Sequence, residues 1–90
     1  MKRAHIIISG RVQGVFFRSN TKIAADKLGL TGFIRNLDNG DVELVAEGSE
    51  EQIKRIITFC KNGPEYAEVA NIDISYEEPK KEFTHFDIRY

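Results

Sequence analysis

The chain has 90 residues, enough for one small domain with one core and not for a second. Thirteen basic against fourteen acidic residues leave a net charge of −1, which argues against bulk electrostatic binding to nucleic acid or to an anionic membrane. The single cysteine, Cys60, cannot form an internal disulfide, and no segment is compositionally biased.

Met1-Lys2-Arg3 is basic, but the apolar run after it stops at Ser9-Gly10. That run is too short for a signal-peptide core, and no segment approaches membrane-spanning length, so a soluble cytoplasmic protein is expected. Residues 4–9 predict a strand, and Ile6-Ile7-Ile8 suits a central position with both faces partly covered. Residues 17–28 predict a helix with Phe17, Thr21, Ala24, Ala25 and Leu28 on one stripe, closed by Gly29 as a C-cap. Thr31 to Asn36 is a second strand. In Asp38-Asn39-Gly40-Asp41 both central residues tolerate positive φ, which predicts a hairpin and an antiparallel pair. The third strand, Val42 to Gly48, alternates: Val42, Leu44 and Ala46 face a core, and Glu43, Val45 and Glu47 face a largely wet side.

Ser49-Glu50-Glu51-Gln52 has the pattern of a capping box with acidic residues in the first turn. The helix it opens carries Ile53, Ile56, Ile57 and Cys60 at core spacing and ends at Asn62-Gly63-Pro64, so Cys60 reads as packing rather than as a nucleophile. A connection through Tyr66, Ala67 and Val69 leads to a strand on which Ile72, Ile74 and Tyr76 alternate with polar residues. After a charged turn around Pro79, Thr84, Phe86, Ile88 and Tyr90 mark a final strand. His5 and His85 each fall on an expected strand, where sheet-surface roles suit both.

This order, βαββαβ plus a C-terminal strand, predicts an α+β, ferredoxin-like sandwich over residues 1–90, an antiparallel sheet with two helices packed on one face. The fold by itself names no function. The RNA-recognition domains that share this order stack bases on exposed aromatics of the central strands, and here isoleucines fill the first strand and no basic surface accompanies them. Charges near the last strand, Glu82 and Asp87 among them, discourage edge pairing and favour a monomer.

The chemistry concentrates at Gly10-Arg11-Val12-Gln13-Gly14-Val15-Phe16-Phe17-Arg18, between the first strand and the first helix. The loop amides and the helix N-terminus present N–H groups to an anion, and Arg18 adds a full charge in a planar fork. The same residues also read as a turn beside a solvated arginine. No Ser–His–acid set, P-loop lysine, His–Cys metal spacing or Asp-rich magnesium site is present, so no metal and no cofactor is expected.

Gly10-x-Val12-Gln13-Gly14-Val15-x-Phe17-Arg18 resembles the signature of the acylphosphatase family, with every position filled. Gly32-Phe33-Ile34-Arg35-Asn36 and the following Asp38-Asn39-Gly40-Asp41-Val42-Glu43 resemble its second block, with Phe33 in place of a more usual tryptophan and Ile34 in place of valine. The resemblance implies hydrolysis of an acyl phosphate, the small-molecule partner, to a carboxylate and inorganic phosphate. It assigns phosphate binding to Arg18 with the loop amides of Gln13, Gly14, Val15, Phe16, Phe17 and Arg18. Positioning of the attacking water falls to Asn36, on the face of Ile34, while Arg35 points the other way as a surface charge. Such a substrate suits so spare a site, because its leaving group is a carboxylate that needs no general acid. The Tyr90 carboxylate is expected near Arg18, where it could orient the guanidinium. The alternative is a catalytically idle anion-binding or regulatory domain; a chain that begins and ends with the domain favours the free-standing hydrolase.

Overall fold

The computed structural model describes residues 1–90. The elements run β1 (Lys2–Arg11), α1 (Phe17–Leu28), β2 (Thr31–Asn36), β3 (Val42–Gly48), α2 (Glu50–Asn62), β4 (Glu68–Glu77) and β5 (Phe86–Arg89). They form one five-stranded sheet in the order β4-β1-β3-β2-β5 with both helices on one face. Four strands pair antiparallel, and β5 adds parallel to β2, so the complete sheet is mixed.

The core lies between the sheet and the helices, where one apolar face of the sheet meets the apolar stripes of both helices. Ile6, Ile8, Ile34, Val42, Leu44 and Ala46 meet Phe17 and Ala25 of α1, Ile53, Ile56 and Cys60 of α2, and Phe86 of β5. Cys60 is fully buried, and burial pushes its thiol up to about 12. Ser49 and Gln52 form the expected capping box, and Gly29 ends α1 in the left-handed region.

Three expectations are corrected. In the hairpin only Gly40 takes positive φ (98°). The Asn39 side chain accepts a hydrogen bond from Asp41 N–H (3.0 Å), and the Leu37–Asp41 backbone bond leaves a three-residue connection that needs one left-handed residue rather than two. The outer face of β3 is not largely wet, because Val45 and Glu47 are buried. Residues 78–85 cross that face as a strap: the Glu47 carboxylate accepts from the N–H groups of Lys80 (2.8 Å) and Lys81 (3.2 Å). Arg3 donates to both Glu47 and Glu82, and the Phe83 ring meets Phe33 edge-on at 5.9 Å. His85 lies in the bend ahead of β5 rather than on the strand, beside Thr84 and Asp87.

Candidate active site

β1, an interior strand of the sheet, ends at Arg11, and Val12 and Val15, both buried, peg the loop between it and α1 into the core at two points. Gly14 takes φ 73° between them, a conformation that glycine adopts without strain, and an added Cβ there would meet no atom within 4 Å. Phe16 then occupies the left-handed region (φ 63°, ψ 24°) as the N-cap of α1, although it is not glycine. Three donors fix that joint: the Asn20 N–H (3.1 Å), Asn20 Nδ2 (2.8 Å) and Ser19 Oγ (3.2 Å) all donate to the Phe16 carbonyl.

This arrangement leaves the loop's own donors free. None of the N–H groups of residues 13–18 donates to an acceptor within the chain, and α1 has no side-chain cap and no acidic residue in its first turn. A helix N-terminus without a cap carries partial positive charge, and no acidic residue of the first turn offsets it here.

A cavity of about 270 Å³ opens on these amides, bordered by Gly14, Phe16, Phe17, Arg18 and Asn36 among others. Arg18 is the one charged side chain in the lining, which holds no histidine, cysteine or acidic residue. Asn36 reaches the cavity from the last position of β2, on the same side of the sheet as Ile34. Its Oδ1 is buried and has no hydrogen-bond partner in the protein, an acceptor waiting for a donor. Arg35, on the opposite side, is exposed and paired with Glu43.

Of the residues singled out from the sequence, Gly14, Phe16, Phe17, Arg18 and Asn36 therefore share one cavity. Gln13 and Val15 belong to the loop but not to the lining. The Val15 side chain anchors the loop, and Gln13 Nε2 donates to the carbonyls of Leu37 (2.8 Å) and Asp41 (2.9 Å). Gln13 thus ties the amide loop to the hairpin mouth directly after Asn36, a long-range pairing that no local pattern announces. Ile88 and Tyr90 complete the far wall, as the alternation of Phe86, Ile88 and Tyr90 allowed. The expected ion pair between the Tyr90 carboxylate and Arg18 does not form. β5 ends at Arg89, and Tyr90 instead places its ring 4.9 Å from the Arg18 guanidinium carbon. No three His, Cys, Asp or Glu side chains gather anywhere in a cluster able to hold a metal ion.

Fold and loop together define an α/β sandwich with an amide-lined cavity at the β1–α1 junction. A family model described as acylphosphatase matches residues 4–88. The acylphosphatase of Methylococcus capsulatus is 44% identical over 88 residues, covering 98% of this chain and 96% of that one. The crystal structure of acylphosphatase from Bacillus subtilis superposes with a TM-score of 0.96 at 37% identity, over 100% of both chains. HypF of T. kodakarensis contains a similar unit: its structure matches all of this chain with a TM-score of 0.86 at 31% identity, over 12% of its own length. The chain belongs to the acylphosphatase family.

Proposed function

We propose that the protein hydrolyses acyl phosphates by direct attack of water on phosphorus, with Arg18 and the amides of residues 13–18 holding the phosphoryl oxygens and Asn36 holding the water. The observation that carries this reading is the meeting of Arg18, the undonated loop amides and the unpartnered Asn36 Oδ1 in one cavity. Family membership supports the reaction class. The phosphoryl group takes the amides and the guanidinium as its ligands, donors set before the reaction starts and aimed at oxygens whose charge shifts in the transition state. Asn36 Oδ1 accepts one hydrogen bond from the water and fixes its position in line with phosphorus.

The water oxygen bonds to phosphorus while the bond from phosphorus to the acyl oxygen breaks, and that electron pair leaves on the carboxylate. A carboxylate is stable unprotonated near neutral pH, so no protein acid is needed. The proton of the attacking water passes to a phosphoryl oxygen. On this reading Arg18 and the amides alone meet the phosphoryl charge, and no metal ion takes part. The exposed charges of Asp87 and Arg89 on β5 and the buried Cys60 thiol fit a single-domain monomer of the cytoplasm, with no nucleic-acid partner. No helix is long and apolar enough to cross a membrane.

Hydrolysis in ¹⁸O-labelled water tests the direction of attack. Label recovered in inorganic phosphate is the expected result; label in the carboxylate would mean attack at the acyl carbon and would remove the role given to Asn36. The similar unit within HypF keeps a second reading in play, an anion-binding domain without turnover. Phosphate binding with no hydrolysis of any acyl phosphate would favour it.

A further inference from the structure

β5 is only four residues long, yet it carries Ile88 and leads into Tyr90, both on the far wall of the cavity. Tyr90 is 98% exposed, so side-chain burial contributes almost nothing to its placement and the backbone of β5 must supply it. On one side β5 is held by β2, in a parallel ladder from Gly32↔Phe86 to Arg35↔Arg89. The Gly32 N–H donates to the His85 carbonyl (3.1 Å). Alternation along the ladder then turns the carbonyls of His85 and Asp87 towards β2 and those of Phe86 and Ile88 away from it. β5 is the last strand of the sheet, so no strand stands ready to pair with those two.

Lys22 of α1 takes that place at Phe86. Its Nζ donates to the Phe86 carbonyl (2.8 Å) and to Asp26 Oδ2 (3.0 Å). The exposed pair with Asp26, one turn along the same helix, is worth little by itself. The bond to Phe86 is the one that reaches another element. Arg18 precedes Lys22 by one turn on the same face of α1, and its guanidinium carbon lies 4.9 Å from the Tyr90 ring. Helix and strand therefore run antiparallel and meet at two rungs, Lys22 with Phe86 and Arg18 with Tyr90. The first rung is a charge-assisted hydrogen bond to the backbone, and the second is a cation facing an exposed ring. If β5 slides or turns, the first rung resists and the second follows.

We infer that Lys22 is a positioning residue: by pinning the Phe86 carbonyl it fixes β5 against α1 and so sets the stance of Arg18 at the phosphoryl site. Lys22 does not border the cavity, and it acts on the substrate only through Arg18. Its kinetic consequence rests on the hydrolase reading, whereas the pinning of β5 does not.

Three variants and one double variant test this role. Lys22→Met keeps the aliphatic stem and removes the donor, Lys22→Arg restores a cationic donor, and Asp26→Asn removes the other partner of Lys22. In Lys22→Met, kcat/KM for benzoyl phosphate and affinity for inorganic phosphate should each fall about fivefold, with recovery to within about twofold of wild type in Lys22→Arg. Asp26→Asn should stay within about twofold of wild type throughout. An unchanged Lys22→Met, or an equal loss in Asp26→Asn, would overturn the role. A general weakening of the fold would add to the loss of Arg18, whereas action through Arg18 would not. Lys22→Met introduced into Arg18→Gln should therefore lower kcat/KM by less than about twofold, and a persisting fivefold loss would overturn the inference. In the free protein the Arg18 Nε–Hε resonance should move in Lys22→Met and return in Lys22→Arg; an unmoved resonance would equally overturn it. If wild type hydrolyses no acyl phosphate while Lys22→Met still weakens phosphate binding and moves the Arg18 resonance, the hydrolase reading falls and the positioning role stands.

Discussion

Arg18 is the one full positive charge facing the cavity, so Arg18→Gln removes the charged fork while keeping most of the side-chain length. Loss of such a contact typically costs about 3 kcal/mol or more in transition-state stabilisation. Phosphate affinity and kcat/KM should therefore fall together, the latter by at least about a hundredfold. Retention of tight phosphate binding in Arg18→Gln would transfer the work to the amides. Gln13 acts at one remove, through its two hydrogen bonds to the Leu37 and Asp41 carbonyls. Gln13→Leu leaves both carbonyls without that donor and should lower stability by about 1–2 kcal/mol, read by urea denaturation. It should also lower kcat more than it raises KM, because the loop and Asn36 lose their common brace. That Gly14, Phe16, Phe17, Arg18 and Asn36 would border one cavity was legible in the sequence through the family's pattern. The tie made by Gln13 was not, since its partners lie more than twenty residues away and are backbone atoms.

Among the elements, both helices were legible almost to the residue, because periodicity and caps are local: Gly29 closes α1, and the Ser49–Gln52 box opens α2. The hairpin was legible as a connection but not in its dihedrals, which the Asn39 side chain decides by bonding to Asp41. The strap over residues 78–85 escaped for a different reason. Its anchor is Glu47, whose alternation in β3 pointed to solvent until Lys80 and Lys81 returned to cover it. β2 holds a further constraint in Gly32, which sits at φ 139°, where an added Cβ would overlap the Val45 carbonyl oxygen. Gly32→Ala therefore combines backbone strain with a backbone clash and should cost roughly 2–4 kcal/mol, seen as a lower denaturation midpoint. An unchanged midpoint would mean that β2 and β3 can shift apart freely.

For the molecule as a whole, Glu43 and Cys60 make stability depend on pH at opposite ends of the scale. Burial raises the Glu43 carboxyl, but hydrogen bonds from His5 and Arg35, and their charges, outweigh it and hold Glu43 below the usual carboxylate range. A depressed acid stabilises the fold above its unfolded value, and this contribution disappears as pH falls through the folded one. Acid unfolding should therefore begin below the ordinary carboxylate range and depend less steeply on pH in Glu43→Gln. Cys60 acts at the alkaline end, with its buried thiol raised from 9.0 to about 12. Its contribution is complete below pH 9 and is lost as pH rises towards 12, so alkaline unfolding should be shallower in Cys60→Ala. The central claim, that one cavity binds the phosphoryl group and separately positions the water, is tested most directly by phosphate release from benzoyl phosphate in EDTA, with wild type beside Asn36→Ala and inorganic phosphate binding measured for both. The expected result is rapid release by wild type, release lowered by at least about a hundredfold in Asn36→Ala, and phosphate affinities within about threefold of each other. Full activity in Asn36→Ala, or activity in wild type that EDTA abolishes, would contradict it.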